Sequence, residues 1–113
     1  CDYLKKHDKD ALFVCDVGNN EFWFSRAFER SKRIGTVLYS KSFSALGAGL
    51  GRAIGVYYAL RKPVCCVIGD YGFQFNIQEL GFIKQWNLPI KILLLNNGIS
   101  GMIADHEINI FGE

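Results

Sequence analysis

At 113 residues, half of them hydrophobic, 14% aromatic and 21% charged, the chain has enough apolar material for one buried core and too little charge for a disordered segment. Its 13 basic and 11 acidic residues are interspersed, as in Lys5-Lys6-His7-Asp8-Lys9-Asp10 and Glu29-Arg30-Ser31-Lys32-Arg33, which describes a solvated surface and excludes a nucleic-acid footprint. No apolar run reaches the roughly 18 residues that a membrane span requires, and no signal-peptide pattern opens the chain, so a soluble, cytoplasmic protein is expected.

Leu12 to Cys15 reads as the first strand and runs into the polar cluster Asp16-Val17-Gly18-Asn19-Asn20. A short helix is expected around Glu21 to Glu29, with Phe22, Trp23, Phe24 and Phe28 as core or subunit contacts. Ile34 to Leu38 is the second expected strand, and Tyr39 to Leu46 a loop. The clearest helix spans Gly47 to Arg61, where Leu50, Ala53, Ile54, Tyr57 and Leu60 recur with helical period. Gly47, Gly51 and Gly55 form a second stripe, along which a neighbouring element can approach closely.

Pro63 to Ile68 is the third expected strand and ends in the turn-like cluster Gly69-Asp70-Tyr71-Gly72. Asn76 then opens a helix, with Glu79 at capping-box spacing, and Leu88-Pro89 closes it. Ile90 to Leu95 is the fourth strand, followed by Asn96-Asn97-Gly98. Asp105-His106-Glu107 reads as an exposed loop triplet. The third and fourth strands are apolar almost throughout, as strands covered on both faces of a parallel sheet are. The alternation predicts an α/β fold: a doubly wound, mostly parallel sheet with helices on both faces. Adjacent Cys65 and Cys66 would point to opposite faces of their strand, and with no CxxC the four cysteines read as buried thiols.

In open parallel sheets, ligands bind outside the carboxyl ends of the strands, and three of the four expected strands end in a small polar cluster. Asp70, directly after a buried strand and flanked by glycines, suits a hard cation such as Mg²⁺, and Asn97 offers a second oxygen from the next strand end. Such a cation completes its octahedron with water and phosphate oxygens, which points to a diphosphate ligand. No GxxxxGK[ST] loop occurs. The glycine-rich run at Gly47-Ala48-Gly49-Leu50-Gly51 fails as a dinucleotide fingerprint, because Arg52 or Ile54 stands at its sixth position and the run follows a loop.

Gly69-Asp70-Tyr71-Gly72-Phe73, Asn76-Ile77-Gln78-Glu79-Leu80, Leu88-Pro89-Ile90-Lys91-Ile92 and Asn96-Asn97, then Gly101-Met102, resemble the thiamine-diphosphate motif that begins GDG and closes with NN. The likeness extends back through Gly47-Ala48-Gly49-Leu50, Trp23 and Asp16-Val17-Gly18, and is strongest to the cofactor-binding domain of the acetolactate synthase (acetohydroxyacid synthase) family. It implies that residues 1–113 are a partial thiamine diphosphate and Mg²⁺-binding domain, and the start at Cys1 suggests an excerpt of a longer chain.

By that resemblance Asp70, the Asn97 side chain and the Ile99 carbonyl are Mg²⁺ ligands. Tyr71, Gly72, Ser100, Gly101 and Met102 hold the diphosphate and pyrimidine ends, while Val17, Gly18, Asn19 and Asn20 border the diphosphate. The Ser44 carbonyl accepts a hydrogen bond from the aminopyrimidine, and Leu46 wedges between the two rings, keeping the 4'-imino group near the thiazolium C2 proton. The sequence departs from the motif where Tyr71 replaces its second Gly, a strained choice if the backbone is left-handed, and where Gly72 replaces a phosphate-binding Ser. His106 stands where a substrate-facing Trp is usual.

The implied activity is thiamine-diphosphate-dependent carboligation of 2-oxo acids. The alternatives are a 2-oxo acid decarboxylase or other carboligase, and a cofactor-free assembly or regulatory module. The family's cofactor-activating glutamate lies on the pyrimidine-binding domain of a partner subunit. No catalytic residue is therefore expected here, and the parent is expected to be a homodimer or homotetramer.

Overall fold

The computed structural model describes residues 12–31 and 35–112. Cys1, His7, Lys32, Arg33 and Ile34, which carried sequence expectations, lie outside them. Four strands form the sheet: β1 (Leu12–Cys15), β2 (Thr36–Tyr39), β3 (Val64–Gly69) and β4 (Ile90–Leu95). Five helices are interleaved with them: α1 (Asn19–Arg30), α2 (Gly49–Leu60), α3 (Asp70–Phe75), α4 (Glu79–Gln85) and α5 (Gly101–Phe111).

The strands are all parallel and lie in the order β2-β1-β3-β4. Leu12 registers with both Thr36 and Val64, and Val64 with Ile90, so the carboxyl ends of the strands reach one edge of the sheet together. Alternation of side chains along each strand builds two cores. On one face Leu12, Val14, Val64, Cys66 and Ile68 pack with Leu50 and Ala53 of α2. On the other, Phe13, Cys15, Cys65 and Val67 pack with Phe24 of α1. The Phe13 ring lies 5.2 Å from Phe24 and 5.6 Å from Phe28. Burying each such side chain contributes about 1.5–3 kcal/mol, which explains why these short strands need both helical layers. The predicted doubly wound α/β sheet is the observed one, and Cys65 and Cys66 point to opposite faces as expected.

Several local expectations fail for identifiable reasons. The expected turn at 69–72 is instead the start of helix α3. Asn76 does not open a helix with Glu79 as its box partner: α4 starts at Glu79 with no side-chain cap, and the Asn76 amide donates to the Gly47 carbonyl at 2.9 Å. The Asn76 Oδ1, the atom a cap would use, accepts from the Gln78 side-chain amide at 3.2 Å instead of from a backbone N–H. Asp105-His106-Glu107 lies within helix α5 rather than a loop; every residue of α5 is at least partly exposed, so no buried stripe marks it in the sequence. A methyl group added at Gly51 or Gly55 would meet no atom within 4 Å, so close approach is confined to Gly47 and Gly49 just upstream.

Candidate functional site

The chain leaves β1 for β2 on one side and later returns to β3 on the other, which makes the carboxyl ends of β1 and β3 the topological switch point of the sheet. A cleft of about 430 Å³ opens there. Val17, Gly18, Asn19 and Asn20 line it from the β1–α1 junction, and Leu46 from the loop before α2. Asp70, Tyr71 and Gly72 border it from the start of α3, and Asn97, Ile99, Ser100, Gly101 and Met102 from the β4–α5 junction. Of the residues expected at the site, Ser44 alone lies away from the lining; it sits on an exposed loop with φ 46°.

The cleft also takes in Gly69, Leu94, Leu95, Asn96 and Trp23. Of the two expectations for Trp23, core or subunit contact, its 65% exposure removes the first: Phe24, one residue on, takes the buried side of α1. Phe22 is likewise exposed. Asn96 belongs to the closing Asn-Asn of the motif, whereas for Leu94 and Leu95 the available signal is position alone, at the carboxyl end of an expected strand.

Asp70 and Asn97 meet in one turn. Asp70 Oδ2 accepts the Gly98 N–H at 3.1 Å, and Asn97 Oδ1 accepts the Ile99 N–H at 3.3 Å. Asn96 Oδ1 also accepts from Gly98 N, at 3.1 Å, so three side-chain oxygens crowd two backbone amides at the cleft edge. Asn20 is committed elsewhere: it is buried and its amide donates to the Asp16 carbonyl at 2.7 Å, which anchors the start of α1. Asn19 donates to Asp105 Oδ2 at 3.4 Å and so ties the start of α1 to α5. Helices α1 and α5 both begin at the cleft, where unpaired backbone N–H groups and the helix dipoles favour an anion.

Behind the cleft, the fully buried Asp16 carboxylate accepts from Gly47 N at 2.8 Å and from Gly49 N at 3.0 Å. Burial pushes its carboxyl above the usual range, while these amides pull it back. Burial likewise pushes the Cys15 and Cys66 thiols up to about 12, so they are inert packing groups rather than nucleophiles.

Tyr71 has none of the left-handed strain that the motif departure suggested. It lies in the first turn of α3, and the non-glycine residues with positive φ among those described are Ser44, Arg61 and Asn87. The substitution of Gly for Ser at 72 also has a local cause, since a Cβ there would collide with Asp16 Oδ2.

The donor set at 70 and 97–99 is all oxygen with one carboxylate, which fits Mg²⁺ shared with phosphate oxygens. The helix N-termini facing it fit the phosphates themselves. Among the described residues no helix is long and apolar enough to cross a membrane.

The family described as "Thiamine pyrophosphate enzyme, C-terminal TPP binding domain" matches residues 16–113. The acetolactate synthase large subunit of Porphyra purpurea is 39% identical over 107 residues, covering 93% of this chain and 18% of that protein. The probable acetolactate synthase large subunit of Methanococcus aeolicus is 33% identical over 109 residues, covering 94% and 18%. Acetolactate synthase isozyme 2 large subunit of Escherichia coli K12 is 33% identical over 105 residues, covering 92% and 19%. The chain therefore spans less than a fifth of the length of these relatives. With a parallel sheet whose carboxyl edge opens on a cleft bordered by Asp70 and Asn97, and with this match over nearly its whole length, the chain belongs to the C-terminal, thiamine pyrophosphate-binding domains of the thiamine pyrophosphate enzymes.

Proposed function

We propose that the chain is the diphosphate-binding part of an acetolactate-synthase-like enzyme that joins 2-oxo acids using thiamine diphosphate and Mg²⁺. The observation that carries this reading is the meeting of Asp70 and Asn97 beside two helix N-termini in one cleft. Asp70, Asn97 and the Ile99 carbonyl would hold the metal. The first turns of α1 and α5, with Gly18 and Ser100 to Met102, would hold the diphosphate. When bound, the cofactor would supply a nucleophilic carbon and an electron sink for 2-oxo acid chemistry.

The chain's own residues bind and orient. Backbone N–H groups at 98 and 99 fix the Asp70 and Asn97 oxygens, so the ligands are set before a metal arrives. Leu46 and Met102 would supply apolar walls for the cofactor's rings. No group in the cleft is assigned a proton transfer, in keeping with a glutamate contributed by a pyrimidine-binding domain of a partner subunit. A homodimeric or homotetrameric parent is part of this reading. The exposed apolar side chains of α5, Ile103, Ile108, Ile110 and Phe111, support it as a surface that another unit covers.

The experiment is calorimetric titration of the protein carrying this chain with thiamine diphosphate and Mg²⁺, followed by product analysis with a 2-oxo acid. Metal-dependent, stoichiometric binding and a condensed hydroxy-oxo acid product are expected. Release of a free aldehyde instead would move the assignment to a decarboxylase. Absence of binding would leave a cofactor-free assembly module.

A further inference from the structure

Loop 40–48, between β2 and α2, carries Leu46 to the cleft, yet its apex is poorly packed: Phe43 is 92% exposed and Ser44 holds φ 46°. Its conformation is set by its ends. At the start, Lys41 pairs with Glu21 of α1, and Tyr39 OH shares a 2.7 Å hydrogen bond with Ser25. At the end, the buried Asp16 carboxylate gives one oxygen to Gly47 N and the other to Gly49 N, while Asn76 binds the Gly47 carbonyl from the α3 side.

Gly47 has φ 85°, and a Cβ there would lie 2.7 Å from both the Gly72 carbonyl and Phe75 Cβ, so the loop end is gripped between β1 and α3. Leu46 is one residue from that grip, and Asp70 stands at the first position of α3. One buried carboxylate is therefore attached to the loop that brings Leu46 to the cleft, and it packs against Gly72 in the helix that begins with Asp70.

We propose that Asp16 is a positioning residue, whose buried carboxylate holds loop 40–48 so that Leu46 forms the ring-side wall of the cleft in register with the Asp70 end. This rests on the cofactor reading above and adds a residue that touches neither metal nor cofactor. Asp and Asn have the same size, but an amide offers one acceptor oxygen where the carboxylate offers two. Asp16→Asn thus leaves Gly47 N or Gly49 N facing an NH₂ group, with no cavity created.

The test measures three quantities on the protein carrying this chain as wild type, Asp16→Asn and Asn76→Ala. These are hydrogen exchange over residues 44–50, affinity for thiamine diphosphate with Mg²⁺, and affinity for inorganic diphosphate with Mg²⁺. Loss of one buried hydrogen bond should speed exchange at 44–50 about tenfold and weaken thiamine diphosphate by a similar factor, with inorganic diphosphate changed less than about twofold. Asn76→Ala, which releases Gly47 from the other side, should show the same split more weakly.

Unchanged exchange at 44–50 overturns the proposal, as does faster exchange with unaltered thiamine diphosphate affinity. Equal loss of both ligands together with a lowered melting temperature shows a general structural role and also overturns it. If the wild type fails to bind thiamine diphosphate, the functional reading falls on its own account, and faster exchange in Asp16→Asn still supports Asp16 as the clamp of this loop.

Discussion

Gly72 stands so close to the buried Asp16 carboxylate that a methyl group on its Cα would run into Oδ2, and that same methyl would lie 3.4 Å from Gly47 N. Serine, the residue that the thiamine-diphosphate motif carries at this position, therefore does not fit this chain unaided. Gly72→Ser gains a few tenths of a kcal/mol in helix propensity but overpacks by about 1–3 kcal/mol, so the clash wins. Denaturant titration should show that net loss. A variant as stable as the wild type would mean that Asp16 can move aside.

Asp70→Ala removes the one carboxylate at the proposed metal position. Retention of thiamine diphosphate after gel filtration with Mg²⁺ should be lost, and Asn97→Ala should weaken it less, since an amide oxygen is the weaker ligand. Asp70 is only half-buried, so the melting temperature should change little in either variant. Stoichiometric cofactor in Asp70→Ala would remove the metal assignment.

Leu46→Ala trims a side chain that is 36% exposed, so its cost to stability should be about 1–2 kcal/mol, less than for a fully buried leucine. If Leu46 shapes the bound cofactor, exchange of the thiazolium C2 proton per bound cofactor should slow about tenfold or more, with a smaller change in affinity. Proton exchange followed by NMR alongside a binding isotherm separates the two. Collapsed affinity with unchanged exchange would contradict the role.

Burial pushes the thiols of Cys15 and Cys66 up to about 12 in the fold, against about 8.5 in an unfolded chain. A raised native value means that their stabilising contribution is complete below about pH 8.5 and is lost as pH climbs towards 12, because the unfolded state releases its protons first. Stability should accordingly fall with alkaline pH from about 9 upward, and fall less steeply in Cys66→Ala once its lower starting stability is allowed for. At pH 8 neither thiol should react with iodoacetamide until the protein unfolds. Rapid native-state labelling at Cys15 or Cys66, read by mass spectrometry, would contradict their burial.

The strands, and the sheet edge on which the chemistry lies, are legible in the order of residues. A strand covered on both faces must be apolar along its length, as Val64 to Ile68 is, and the chain must turn polar where it leaves the sheet, as at Asp16, Asp70 and Asn96. Both are local signals; the second holds at these strand ends, while the first holds for β3 and fails for the nearly as apolar β4, which among the described residues is an edge strand with every residue at least partly exposed. Which polar groups are spent on the fold is a matter of packing. Asp16 looks like one more strand-end carboxylate, but its partners are the amides of Gly47 and Gly49, more than thirty residues away; Asn76 looks like a helix cap, but its partner is the Gly47 carbonyl. Helix α5 cannot be read from a buried stripe because it has none. Periodicity records which face of an element is covered, whereas a buried carboxylate takes whichever donors packing brings within about 3 Å, and that choice is made only when the sheet and its helices close on each other.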